Sequence, residues 1–206
     1  HPDIAQGPDG TYYIAGNQSD AAPDITIWSS RDLIQWERYS TYTPDLKSTP
    51  GYSQALQRIG APKLFFDKAS RLYVTSRDLK TFSAPPERLL DWDMGTIDVL
   101  LRQEEGKYWA ILKDETYPTL DWVTGKTIRI ASSDSLLGPY KDLSLPISPN
   151  FREAPMLVPS PDGKAWYLYY EQYPGVSYGL SVASKLSGPW YQVSGYTFHD
   201  DWDKYA

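Results

Sequence analysis

Three segments of this chain place ionisable side chains a few residues upstream of a turn that is followed by aromatic residues. They are His1-Pro2-Asp3-Ile4 before Gly10-Thr11-Tyr12-Tyr13, Ile97-Asp98-Val99 before Gly106-Lys107-Tyr108-Trp109, and Glu153-Ala154-Pro155 before Pro161-Asp162-Gly163 and Trp166-Tyr167. Asp3 precedes its turn glycine by 7 residues, Asp98 by 8 and Glu153 by 10. If the repeats surround a common axis, these side chains converge on one pocket although they are far apart in sequence. The chemistry this points to is acid/base cleavage of a sugar bond. With inversion, one carboxylate activates water and one carboxylic acid protonates the leaving oxygen, about 6.5–9.5 Å away. A third carboxylate nearby raises the acid's pKa by like-charge repulsion.

Glu153 is the natural acid, at the entry to an apolar strand after Phe151-Arg152. Asp98 lies inside Thr96-Ile97-Asp98-Val99-Leu100-Leu101, where a charge is costly unless it faces a polar pocket. The plainer readings are a strand-end turn residue for Asp98 and a solvated carboxylate for Glu153.

The elements that must position these residues also repeat. Ile25-Thr26-Ile27-Trp28-Ser29-Ser30-Arg31-Asp32-Leu33 runs on to Trp36, and returns as Val74-Thr75-Ser76-Arg77-Asp78-Leu79 with Phe82. It returns again as Ile128–Leu136 with Tyr140, and as Leu180–Leu186 with Trp190. The intervals of 46, 57 and 51 residues between Ser30, Ser76, Ser133 and Ser184, with several short strands per unit, predict a β-propeller. A β-sandwich leaves this echo unexplained. Ile25–Trp28 and Leu180–Ala183 read as strands, and Pro-Asp-Gly at 8–10 and 161–163 as tight turns. No helical periodicity is sustained. The expected fold is all-β, of the five-bladed β-propeller type, with about four blades represented. The second is incomplete, since no separate turn and third strand fit between Leu72-Tyr73-Val74 and Thr75-Ser76-Arg77.

At 206 residues the chain reads as a single domain spanning 1–206, a piece lacking the closing blade or a processed product, since it opens on His1. The eight Trp and 17 Tyr suit strand packing and also sugar platforms. A net charge of −6 with no Lys/Arg block argues against a nucleic-acid partner. The absence of cysteine excludes disulfides, thiolate metal sites and a cysteine nucleophile, and suits an exported, extracellular or periplasmic protein. No apolar run reaches the ~20 residues of a membrane helix, and no signal peptide is visible. No cofactor or metal is expected: two histidines do not build a zinc site, and His199-Asp200-Asp201 reads as a polar loop. Asp114-Glu115 reads as a solvated turn. No serine elbow or phosphate loop appears.

Ser30-Arg31-Asp32-Leu33-Ile34-Gln35-Trp36, Ala61-Pro62, Ile97-Asp98 and Arg152-Glu153-Ala154-Pro155 together resemble, in order and spacing, glycoside hydrolase family 43, the five-bladed propeller arabinofuranosidases, xylosidases and arabinanases. The resemblance implies a glycosidase acting by inversion on α-L-arabinofuranosides or β-xylosides, with carbohydrate as its partner. Glu153 takes the place of the family's general acid and Asp98 that of the aspartate that orients it and tunes its pKa. The family's base precedes a proline. Aligned through the turn that position is His1, whereas aligned on an "H-P-D" form it is Asp3, on the same strand face as His1. Gly60 stands where the family has tryptophan, and the last-blade histidine has no counterpart, His199 lying too early. These departures keep open an alternative from another class, a non-catalytic carbohydrate-binding or degenerate propeller.

Overall fold

The computed structural model describes residues 4–17, 24–45, 78–82, 94–121, 123–174 and 177–197, with Leu64, Ser76, Leu89, Leu90 and Trp92. The His1-Pro2-Asp3 segment, Gly60-Ala61-Pro62, Leu72–Thr75 and His199 lie outside the described residues. Every regular element among the described residues is a strand, and every named pairing is antiparallel. The chain divides into two compact units, His1–Leu89 and Leu90–Ala206.

In the first unit, β1 (Ile4–Gln6), β2 (Tyr12–Asn17), β3 (Ile25–Ser30) and β4 (Glu37–Tyr42) form a four-stranded meander in chain order. The alternation expected of a strand is visible in β2: Tyr13 and Ala15 are buried between less buried neighbours. With Ile27 they form a small core against Ile25, Tyr39, Leu64, Leu79 and Phe82. Tyr13 meets Tyr39 edge to face at 5.4 Å between ring centres.

The recurring sequence element ends in a turn that is built in two ways. In the first, the Asp32 carboxylate accepts the amides of Ile34 and Gln35 at 2.9 and 2.8 Å, and Leu33 takes a left-handed φ of 62°. Asp78 repeats this on Lys80 and Thr81, with Leu79 at φ 54°. In the second, Gly138-Pro139 and Gly188-Pro189, both cis, replace the aspartate. One bond is common to both designs, from the closing aromatic back to the leucine carbonyl: Trp36 to Leu33, Tyr140 to Leu136 and Trp190 to Leu186, at 3.3, 2.8 and 3.2 Å.

In the second unit, β5 (Thr96–Glu104), β6 (Lys107–Asp114) and β7 (Thr127–Ser133) form one sheet. The other contains β8 (Arg152–Pro159), β9 (Trp166–Gln172), β10 (Tyr178–Ala183) and β11 (Tyr191–Thr197). Glu105 and Gly106, at φ 49° and 78°, turn β5 into β6 with the two positive φ values of a primed hairpin turn. Leu100, Ile111, Ile128 and Ile130 pack against Leu157, Leu168, Tyr170 and Leu186 in one shared core. Polar ties reinforce it. Glu104, at the end of β5, accepts Trp166 Nε1 at 2.5 Å and the Leu186 amide at 2.7 Å, and Arg102 Nη2 donates to the Leu157 carbonyl at 3.2 Å.

The free edge of β7 is covered by residues 141–148 rather than by a regular strand. Ser132 and Lys141 exchange backbone bonds, and the amides of Ser144 and Ile147 reach the carbonyls of Ile130 and Ile128. In return the Ile130 and Ile128 amides donate to the hydroxyls of Ser144 and Ser148, at 3.0 and 2.8 Å. Side-chain oxygens thus take the acceptor role that carbonyls hold in a ladder, in a segment where Pro146 has no amide to offer.

Tyr170 is fully buried at the centre of the second sheet, its hydroxyl 3.2 Å from Ser181 Oγ. It pairs across the strands with Gly179, where an added Cβ would stand 2.2 Å from Tyr170 Cε2. The ring lies over a backbone without a side chain. Gly179→Ala is therefore expected to lower unfolding stability by about 1–3 kcal/mol through overpacking. Urea denaturation checks this, and an unchanged midpoint contradicts the packing role.

Candidate active site

Two bulges create the site. On β5, Ile97 pairs with Lys113 and the next pair is Leu100 with Ile111, so Asp98 and Val99 face Leu112 alone. On β8, Glu153 pairs with Glu171 and the next pair is Met156 with Tyr169, so Ala154 and Pro155 face Tyr170 alone. Each bulge opens on a left-handed residue, Asp98 at φ 52° and Ala154 at φ 49°. Such bulges bend the strand and re-aim a side chain. Aspartate tolerates this region, whereas alanine in it costs on the order of 1–3 kcal/mol.

The bulges are locked together. Asp98 is buried, and its Oδ2 accepts the Ala154 amide at 3.1 Å. The charge inside the apolar strand is thus matched by a donor from the neighbouring sheet. Spacing from the turns predicts Asp98 and Glu153 at equivalent positions, and the register corrects this by one residue. Asp98 matches Ala154, because the β8–β9 turn is longer than Glu105-Gly106 and shifts the count. Glu153 therefore sits immediately before the residue that Asp98 holds.

Glu153 is held by a cation. Lys113 Nζ donates to Glu153 Oε2 at 2.7 Å and lies 2.7 Å from Glu115 Oε1. Glu115 Oε2 in turn bonds Lys126 Nζ. The result is a row of alternating charge, Glu153–Lys113–Glu115–Lys126, in which the lysine side chains are 3% and 7% exposed and the glutamates 20% and 27%. Each lysine also faces a tyrosine ring: Lys113 Nζ stands 5.1 Å from the centre of the Tyr173 ring, and Lys126 Nζ 4.4 Å from that of Tyr117. Asp114, buried at the end of β6, pairs with Arg129 Nε at 3.2 Å and accepts the Thr116 amide at 2.8 Å. The entry to β8 is fixed by the amide of Arg152, which reaches the Lys126 carbonyl at 2.7 Å, and by Arg152 Nη1 on the carbonyls of Asn150 and Phe151.

Of the four residues expected to act, Asp98 and Glu153 meet in this region, while His1 and Asp3 lie outside the described residues. Asp114-Glu115 is not the solvated turn expected of it: Asp114 ends a central strand, and Glu115 carries two lysines. Sequence reasoning missed Lys113, Glu115 and Lys126. The signal was a lysine directly after Ala110-Ile111-Leu112, a charge in a run of buried residues, with a carboxylate two residues on. Among the described residues no three His, Asp or Glu side chains gather to hold a metal ion. A cavity of about 470 Å³ in the first unit is lined by Trp36, Tyr39, Asp9 and Asp32, among others. Its aspartates are engaged in turns: amide bonds from Thr11, and from Gln35 and Ile34, hold Asp9 and Asp32 below the ordinary carboxylate range.

The sequence matches no protein-family profile and no curated protein. Solved structures do resemble the fold. An endo-1,4-β-xylanase from Bacteroides thetaiotaomicron is 19% identical with a TM-score of 0.64, over 93% of this chain and 70% of that one. A glycoside hydrolase family 43 protein from Bacillus licheniformis is 17% identical with a TM-score of 0.65, over 94% and 42%. An endo-1,5-α-L-arabinanase from Thermotoga petrophila is 15% identical with a TM-score of 0.64, over 93% and 58%. This chain thus spans less than two thirds of the latter two. Its fold is all-β, family-43-like and of the five-bladed β-propeller type, with three sheets among the described residues.

Two expectations follow. Asp98→Ala leaves the partly buried Ala154 amide without its acceptor and should cost about 1–3 kcal/mol. Asp98→Asn keeps both an acceptor and a residue at ease in the left-handed region, and should cost clearly less. Thermal unfolding of the pair decides this, and equal stability of wild type and Asp98→Ala counts against the lock.

The second concerns pH. Burial alone would raise the Glu115 carboxyl, but Lys113 and Lys126 outweigh it and hold it below its ordinary value. Burial would likewise lower Lys113, but Glu115 and Glu153 outweigh it and hold it above. The depressed acid contributes stability present above its unfolded pKa near 4.5, lost as pH falls through the lower folded value. The raised lysine contributes stability present below 10.5, lost as pH rises through the higher folded value. Unfolding free energies of wild type and Glu115→Gln, measured across the acid range, should converge as pH drops below 4.5. A constant gap down to strong acid contradicts the pairing.

Proposed function

We propose that this chain cleaves glycosidic bonds in polysaccharide side chains or oligosaccharides, α-L-arabinofuranosides or β-xylosides, by an inverting acid/base mechanism. Glu153 is the acid, Asp98 orients the strand that carries it, and Asp3 or His1 takes the position of the water-activating base. The observation that carries this reading is the Asp98–Ala154 bond. It fixes the backbone next to Glu153 from a second, buried carboxylate on a neighbouring sheet. The family-43-like fold supports it, because the xylanase and arabinanase that share this fold act on these classes of sugar. In the reaction Glu153 gives its proton to the leaving oxygen as the glycosidic bond breaks. Water, relieved of a proton by the base, attacks the opposite face of the ring. The expected setting is extracellular or periplasmic, where such polysaccharides are met.

A second reading, a carbohydrate-binding propeller without turnover, draws on the Lys113 contact. The Lys113 ammonium donates to Glu153 Oε2 at 2.7 Å, an arrangement that fixes a carboxyl group for hydrogen bonding to sugar hydroxyls. Calorimetry with arabino- and xylo-oligosaccharides, followed by product analysis, separates the two: binding without product selects the binder.

For the enzyme, Glu153→Gln should lower turnover of natural linkages by about 100-fold or more, since general acid catalysis supplies roughly that factor. Aryl glycosides with good leaving groups should lose far less, because they need little protonation. Equal losses on both substrate types would remove Glu153 from the acid role.

A further inference from the structure

Lys113 is the feature that the acid/base scheme leaves unused. It extends from the central strand of its sheet, its side chain is 3% exposed, and its ammonium touches two carboxylates and a ring face. A lysine buried this far is costly unless paired on several sides. Here Glu115 and Glu153 each stand 2.7 Å from Nζ. The Glu153 bond is a directed hydrogen bond to Oε2. Among the described residues Glu153 Oε1 has no partner, and the side chain remains 20% exposed. One oxygen of Glu153 is thus fastened to the protein and the other left available.

We propose that Lys113 is a positioning residue for Glu153, fastening it through Oε2 so that Oε1 faces the leaving oxygen of the substrate, and that Glu115 holds Lys113 in place. This rests on the reading of Glu153 as the acid. A protonated carboxyl group has one O–H donor and one carbonyl acceptor. With Lys113 donating to Oε2, the acceptor is defined, and the proton belongs on Oε1, the oxygen that can reach substrate. When Oε1 gives up that proton, the negative charge left on Glu153 forms beside the ammonium, which requires no new contact at that moment. Glu115 and Lys126 extend the row, so the ammonium is held from its other side and cannot follow the substrate out. Tyr173 covers it further.

The test uses Lys113→Met, Lys113→Arg and Glu115→Gln in the full chain, with two readouts. The first is kinetic. Lys113→Met should lower kcat on glycosides with poor leaving groups by about 100-fold, the scale of a misplaced general acid, while dinitrophenyl glycosides lose clearly less. Lys113→Arg should recover part of the loss, because a guanidinium still donates to Oε2. Adding Lys113→Met to Glu153→Gln should produce little further loss, since both remove one function. Equal loss on all substrates, or full additivity with Glu153→Gln, overturns the proposal.

The second readout does not need turnover. In crystal structures of the variants, Glu153 should leave its place in Lys113→Met and keep it in Lys113→Arg. If Glu153 stays in place without the ammonium, the proposal fails whether or not the protein is an enzyme. If Lys113→Met does not fold, Glu115→Gln carries the same test. It should loosen Lys113 and impair poor-leaving-group substrates selectively, and a normal Lys113–Glu153 contact with wild-type turnover there contradicts the chain of support. A wild-type protein that turns over no glycoside while Glu153 moves in Lys113→Met sinks the glycosidase reading and leaves the fastening of Glu153 standing without its catalytic purpose.

Discussion

The second unit depends on one hydrogen bond between two strands that are not partners in any sheet. Asp98 reaches from the bulge of β5 to the amide of Ala154 in the bulge of β8. Both residues hold left-handed backbone, and neither conformation is the default of an extended strand. A buried carboxylate without a donor and an alanine without a reason for its φ would each be a cost alone. Together each supplies what the other lacks. At the opposite end of β5, Glu104 grips Trp166 and Leu186. The strand is thus pinned to the second sheet at both ends by carboxylates, with the apolar core between them.

The ionic row beside this lock answers a different need. Four charges lie in one partly buried place, and their order alternates, so no like pair is adjacent. Placing Lys113 on the strand between β5 and β7 gives it a rigid base, and rigid elements hold a reacting group more accurately than loops do. Glu153 combines both influences, with its backbone neighbour set by Asp98 and its side chain by Lys113.

Much of this was legible in the sequence, for identifiable reasons. Ile25–Trp28 and Leu180–Ala183 announce themselves by composition and alternation and lie within the strands Ile25–Ser30 and Tyr178–Ala183, and Pro-Asp-Gly marks its turns. The echo ending in Trp36, Tyr140 and Trp190 is a real structural unit because each ring returns to the same leucine carbonyl. Asp98 was conspicuous as a charge within an apolar strand. What escaped was whatever depends on which strands become neighbours. Nothing local to Lys113 or Glu115 says that residues 113 and 153 will meet, so Asp114-Glu115 passes for a polar turn. The one-residue offset between Asp98 and Glu153 was hidden likewise, since it comes from the longer β8–β9 turn, and a count back from a turn glycine does not show where the strand pairing starts.

The strap over residues 141–148 has a consequence for how this protein can change over time. A regular edge strand is locked in step with its neighbour, so that inserting a residue turns every following side chain to the wrong face. The strap holds β7 by a few backbone contacts and two serine hydroxyls, and its other residues answer to no such rhythm. Leu145, at its middle, already points its bulk into solvent. Length and sequence there are free to drift so long as the two hydroxyls return to their amides. The periphery of this sheet is thus open to variation, while β5 and β6, two strands inward, are held to the residue by the charges they carry.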